Sequence, residues 1–320
     1  MNIFLFILTN NLIPIFTLII LGIFLGKKFS LDVGTLSKIN LYAFVPLFIF
    51  VSIYTTEFRS DMIIAAAVVI VIMLINRLLG FLIGRTRKYD QSLTNAFTNS
   101  IMFYNSGNFG IPLITMVFSS KLFQVNGETP YLDYALTIQI IVLIIQNTTT
   151  NTIGVFNANR AGGSIKEALK KTLNMPSIYF VVLAFVLKLI PYNLEQLPVW
   201  SALTYVKEGL ISLALISLGV QLSRTKIKLK DPDVSLSVFV RLIGGPVIAF
   251  ALVSLLGIKG IMAQALIISS SVPTSVNTAL IGVEFNNSPG FASRAVMVST
   301  LLSSITLTAV IYAAGILFPV

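Results

Sequence analysis

The chain has no cysteine and no histidine among its 320 residues. Without thiols there is no disulfide and no thiolate nucleophile; without imidazole there is no His-ligated metal and no imidazole proton relay. Charge is scarce as well, at 11% of residues, against roughly 25% in a soluble domain. No Asp or Glu falls near the middle of a long apolar run: Glu57, Asp61, Asp133, Glu208 and Glu284 all lie toward run ends. An enzyme working within a bilayer needs an acid–base pair, a metal cluster or an activated nucleophile. None is in place, so no catalysis, no metal and no cofactor are expected. There is also no room for a soluble output domain of the kind a membrane sensor carries.

What the chain has in quantity is apolar sequence, 56% of residues at a mean hydropathy of +0.91. This is the composition of an all-α polytopic membrane protein. Hydropathy predicts ten spans, at 3–25, 36–56, 61–84, 92–119, 131–155, 175–190, 201–222, 233–256, 261–284 and 291–318, each near the ~20 residues a spanning helix needs. The first is too long for a cleaved signal peptide and lacks a basic start and a small-residue cleavage site.

The net charge of +10 reports topology rather than an anionic partner such as nucleic acid. With the N-terminus outside, the cytoplasmic loops hold fifteen of the 22 Lys and Arg residues and the outer loops four. The remaining three, Arg77, Lys207 and Arg241, fall within spans. This asymmetry predicts N-out, C-out insertion. The basic run Lys226-Ile227-Lys228-Leu229-Lys230 belongs to the same pattern.

Two spans are interrupted. Residues 105–112 (Asn105, Ser106, Gly107, Asn108, Phe109, Gly110, Ile111, Pro112) break the fourth, and residues 269–277 (Ser269 to Asn277, with Pro273) break the ninth. Gly, Pro and Asn are poor in helix interiors, and broken backbone in hydrocarbon survives only where protein buries it or where it lines a wet cavity. Pro14, Pro46 and Pro246 are the other internal breakers and read as kinks. The polar stretch 157–174 divides the spans five and five, so the second half enters from the opposite side and the halves are expected to be inverted repeats. Both interruptions then fall in the fourth span of their half.

A helix that stops and restarts exposes N–H groups at its new N-terminus. Pro112 and Pro273 are read as first-turn residues of the restarted helices, with Asn108 and Ser271 or Thr274 as caps. Each terminus acts as roughly +0.5 charge. Two meeting at the midplane are expected to hold a carboxylate without any buried Lys or Arg, at up to ~4 kcal/mol, a Kd of about a millimolar. Arg77 and Arg241 each lie about two turns from the cytoplasmic end of a span and are read as snorkelling, with an anion-attracting inner vestibule as the alternative. Gln139, Gln146, Asn147, Thr148 and Asn151 give the fifth span a polar stripe, read as hydrogen bonding to the broken helices ahead of direct substrate contact.

At these residues the chain resembles the auxin efflux carrier family. Asn105 to Leu113 is similar to that family's fourth-helix motif, Ser271 to Phe285 to its ninth-helix motif, and Asn40 to Phe50, with Pro46, to its second-helix stretch. The likeness covers the whole length and lacks the long central loop of many plant members, as in bacterial malate-permease-like forms. The resemblance implies ten helices in two inverted five-helix repeats, with the broken fourth and ninth crossing. It implies scaffold helices at 1–60 and 175–230, transport-domain helices at 61–157 and 231–320, and a cytoplasmic connection at 158–174. It implies elevator-type alternating access, a homodimer through the scaffold helices, and a place in the plasma membrane among its lipids. Carried over by motif, the substrate-facing residues are Asn105, Asn108 and Asn277. Gly110, Pro112, Ser271, Pro273 and Thr274 surround them, and Gln146, Arg77 and Arg241 are possible supports. The expected activity is secondary transport of small organic carboxylates such as malate. With no midplane carboxylate, a drive by substrate gradient, membrane potential or anion exchange is favoured. A sodium- or proton-coupled symporter and an anion channel stay open.

Overall fold

The computed structural model describes residues 3–56, 60–158, 176–224 and 231–320. The polar connection from residue 159 to 174 and the Lys226–Lys230 run fall outside the described residues. In chain order the helices are α1 (Ile3–Phe29), α2 (Val33–Thr55), α3 (Met62–Thr86), α4 (Gln91–Met102), α5 (Ser106–Phe118), α6 (Leu132–Ala158), α7 (Pro176–Lys188), α8 (Val199–Ser223), α9 (Pro232–Leu255), α10 (Gly260–Ser269), α11 (Val276–Glu284) and α12 (Pro289–Leu317). Seven of them, α1, α2, α3, α6, α8, α9 and α12, are long and apolar enough to cross a membrane; α5, α7 and α10 are shorter apolar helices. No strand forms among the described residues beyond isolated bridges. Large apolar side chains such as Ile20, Ile63 and Leu74 lie exposed on helix faces, as a lipid-facing surface requires.

Helix starts follow local chemistry. Asp32 accepts from Thr35 N at 2.7 Å to open α2, and Asp90 from Leu93 N at 2.8 Å to open α4. Asp231 accepts from Asp233 N at 3.1 Å and Val234 N at 3.2 Å to open α9, where Pro232 takes the first helical position. Each satisfies an orphan first-turn donor.

Pro14, Pro46 and Pro246 do not break their helices. Each follows one widened π-helical turn, at Leu8–Leu12, Asn40–Phe44 and Val240–Gly244. The residue before each proline donates five residues back: Ile13 to Leu8, Val45 to Asn40, Gly245 to Val240. The wider turn makes room for a ring that would clash with the carbonyl four residues earlier.

α1 lies along α8, and α2 packs on α7 and α8; α3 packs on α4 and α6, α10 on α6 and α12, and α9 on α3, α10 and α12. Close approach of α1 to α8 depends on Gly22 and Gly219. A Cβ on Gly219 would stand 2.8 Å from Gly22 Cα and would overlap the Ile19 carbonyl. These atoms are backbone and cannot swing aside, so Gly219→Val is expected to destabilise the protein by about 2–3 kcal/mol. A fall in the thermal midpoint of detergent-purified protein checks this; an unchanged midpoint contradicts it.

Candidate functional site

The two interruptions lie side by side. α4 gives way at Phe103, whose backbone is extended (φ −107°, ψ 123°), and α5 restarts at Ser106. α10 ends at Ser269 and α11 begins at Val276, with Pro273 holding the residue before it out of helix. Asn105 N donates to Pro273 O at 2.8 Å and Ser275 N donates to Phe103 O at 3.0 Å. These bonds flank an antiparallel bridge between Tyr104 and Thr274. The unwound backbone is satisfied by itself and by side chains: Tyr104 N donates to Gln146 Oε1 at 3.2 Å, Thr274 N to Ser299 Oγ at 3.1 Å, and Thr274 Oγ1 to Ser100 O at 2.9 Å. Gln139 forks between the broken helices: its Nε2 donates to Ser106 O at 2.7 Å while its Oε1 accepts from Ser269 Oγ. The polar stripe of α6 thus holds the two breaks together, as expected for Gln139 and Gln146.

Several expected roles are corrected. The first break is centred on 103–105, so α5 starts before Pro112, which sits in its interior after a π-helical turn at Ser106–Gly110. Pro273 lies in the extended segment itself and supplies a carbonyl. Ser275, rather than Ser271 or Thr274, caps α11 by accepting from Asn277 N at 3.3 Å. Ser271 Oγ donates to Ile267 O at 2.6 Å. Asn108 caps nothing: its Oδ1 accepts from Asn40 Nδ2 of α2 at 2.7 Å.

Arg241 is the largest departure. It does not snorkel; its side chain is fully buried. Nη1 donates to Ile101 O at 2.7 Å and Nη2 to Ser270 O, one carbonyl from the end of each first half-helix. The guanidinium also stands 4.8 Å from the centre of the Tyr104 ring, a cation–π distance. A Cβ on Gly245, one turn along α9, would collide with Nη2 and lie 2.9 Å from Ser270 O. The crossover therefore contains a buried cation, contrary to expectation. Arg77 is exposed on α3 and lines a separate cavity of about 260 Å³ with Arg85, Tyr89 and Asn157; it is not brought to the crossover.

Tyr104 also lines a cavity of about 70 Å³, together with Asn105, Asn108, Asn277, Asn40 and Asn147 among others, with the first turns of α5 and α11 in its wall. Asn105 Nδ2 and Asn40 Oδ1 are buried without a protein partner. The cavity thus has two helix N-termini, several amides and no acid among its lining residues. Asn40, Tyr104 and Ser275 are the residues that the sequence did not point to as part of the site. An Asn alone in an apolar span was a signal for Asn40; nothing marked Tyr104.

A helical chain with membrane-length apolar helices and two unwound segments paired beside a polar cavity is of the membrane-transporter class. The model of the membrane transport protein family matches residues 7–168 and 163–311, and the chain belongs to this family, that of the auxin efflux carriers. It is 23% identical to an uncharacterised transporter of Methanothermobacter thermautotrophicus over 93% of this chain and 96% of that one. It is 26% identical to an uncharacterised transporter of Methanocaldococcus jannaschii over 48% and 51% of the two chains. It is also 28% identical to a "putative malonate transporter" of Rhizobium meliloti over 36% and 37%.

Proposed function

We propose that this protein is a secondary carrier of small organic carboxylates, with dicarboxylates of malonate or malate size as the substrate class. The observation that carries the reading is the amide-rich, acid-free cavity into which the α5 and α11 N-termini open. Helix N-termini favour anions through free N–H groups and the macrodipole, and the unpartnered Asn105 amide is a further donor. A cavity of about 70 Å³ is small beside the ~300 Å³ of pockets for drug-sized ligands, which favours a short acid over an aromatic one. The Rhizobium relative named for malonate points the same way.

In this reading the broken pairs α4/α5 and α10/α11 are single interrupted spans, giving ten in two inverted repeats, N-out and C-out in the plasma membrane. Of the cavity lining, Ser37, Asn40, Leu41 and Val45 come from α2 and Gln221 from α8, and the rest from α5, α6 and α11 and the segments before α5 and α11. Transport is elevator-like: α3–α6 and α9–α12 move with the cargo against α1, α2, α7 and α8, which also form the homodimer contact. The Asn40–Asn108 hydrogen bond joins the two groups and must break in each stroke.

Proteoliposomes loaded with unlabelled malonate or malate test this. Labelled acid is expected to enter by saturable counterflow, and short dicarboxylates to raise the thermal midpoint of the purified protein. Flux that neither saturates nor shows counterflow identifies a channel and defeats the carrier reading.

A further inference from the structure

Among the described residues the Arg241 guanidinium is the deepest buried charge, and it sits among carbonyls rather than carboxylates. Its partners, Ile101 O and Ser270 O, belong to the C-terminal ends of α4 and α10, the first halves of the two broken helices. In transporters with discontinuous helices, half-helix C-terminal ends and unwound carbonyls are where a coupling Na⁺ is coordinated. Each such end carries roughly −0.5 charge, so two of them form a seat for one monovalent cation. Here the seat is taken. Gly245 leaves space for the guanidinium where any side chain would strike it, and the Tyr104 ring lies against the guanidinium and also lines the cavity.

We infer that Arg241 is a tethered counter-cation occupying the seat of a coupling ion, so that the carrier moves its substrate without Na⁺. The guanidinium balances the two half-helix C-termini and leaves the two N-termini, together about one positive charge, to face a carboxylate in the cavity. Arginine does not release its proton in proteins, so the same seat gives no proton coupling. Arg241 is a positioning residue: it acts on cargo through the bridge at Tyr104 and Thr274 and does not touch it. The inference rests on the carrier reading for its transport consequence, and on geometry alone for the cation seat.

The test uses the full chain in two arms. In the first, wild-type uptake is measured with Na⁺ replaced by choline; equal rates are expected, and a severalfold loss in choline overturns the proposal. In the second, Arg241→Ala is compared with wild type in NaCl, choline chloride and millimolar guanidinium chloride. Wild-type thermal midpoint is expected to be the same in all three. The Ala variant is expected to be stabilised by guanidinium and more weakly by Na⁺ over choline. Its uptake is expected to fall at least about tenfold, as for one lost charged hydrogen bond, and to recover in part with guanidinium. A folded Arg241→Ala variant indifferent to all three cations overturns the proposal. If that variant does not fold, Arg241→Lys replaces it: a point charge in place of the fork is expected to keep Na⁺-independent uptake at a reduced rate, and a Na⁺ requirement overturns the idea. Cation-dependent stability needs no substrate, so this arm fails separately from the carboxylate reading.

Discussion

Asn277→Ala is expected to lose carboxylate uptake in a protein that still folds. Asn277 stands in the first turn of α11, half-buried, with its side chain in the cavity wall. Its backbone N–H is engaged by Ser275 Oγ, but its side-chain amide makes no hydrogen bond among the described residues, so the fold does not depend on it. A hydrogen bond from an amide to a carboxylate is worth about 1.5–3 kcal/mol, which corresponds to roughly 10- to 150-fold in affinity. Asn108→Ala differs in an informative way. It removes the acceptor of Asn40 Nδ2, leaving Asn40, already short of a partner at Oδ1, with its donor unpaired too. That variant is expected to lose both transport and stability, by about 1–3 kcal/mol for the orphaned donor. Counterflow and thermal unfolding measured on Asn277→Ala, Asn108→Ala and Asn40→Ala separate the roles. Wild-type counterflow in Asn277→Ala removes that residue from the site.

The contrast between these two asparagines marks how far sequence carries. Both stand out as amides in apolar spans beside Gly and Pro, and the positions of the two interruptions follow from helix propensity alone. The limits of α3, α7 and α12 fall within two residues of those expected at 61–84, 175–190 and 291–318, because long apolar runs bounded by caps and prolines are local signals. Partnership is not local. Asn108 meets Asn40 across 68 positions and Arg241 meets Ile101 across 140. Arg241 lies two turns into its span, and snorkelling follows from depth alone; which face of α9 it occupies is decided by packing against the crossover. Capping failed for a subtler reason. Ser271, Thr274 and Ser275 are all competent caps, and the choice depends on where the chain re-enters the helix, which the pairing of Asn105 with Pro273 fixes. Pro14, Pro46 and Pro246 read as kinks, and their helices run on through widened turns; the widening itself is not legible, since proline disfavours the α-helical bond pattern without saying whether the chain widens or stops.

Gly110→Ala is expected to have a large structural effect for a single methyl group, and its mechanism can be isolated. Gly110 sits in the π-helical turn that opens α5, with its N–H on Asn105 O at 2.9 Å. A Cβ there would overlap Gln139 Nε2 and approach Asn105 O at 3.5 Å. An unattached glutamine would swing away, but this one is held at both ends, by Ser106 O and Ser269 Oγ, in a fully buried site. Displacing it costs the Ser106 carbonyl one of two donors, Ile111 N–H remaining, at about 0.5–1.5 kcal/mol, and leaves the Ser269 hydroxyl without its partner, at about 1–3 kcal/mol. The broken helices also lose the one residue of α6 that holds both. The expected outcome is a loss of about 2–4 kcal/mol in stability together with loss of uptake. The route through Gln139 is tested by a double-mutant cycle on thermal unfolding. If the clash with Gln139 is the cause, Gly110→Ala adds little to a protein already carrying Gln139→Ala, and the two effects are far from additive. Additive losses would place the damage elsewhere, in the backbone of the turn, and would leave Gln139 as one polar contact among several rather than the tie between α5 and α10.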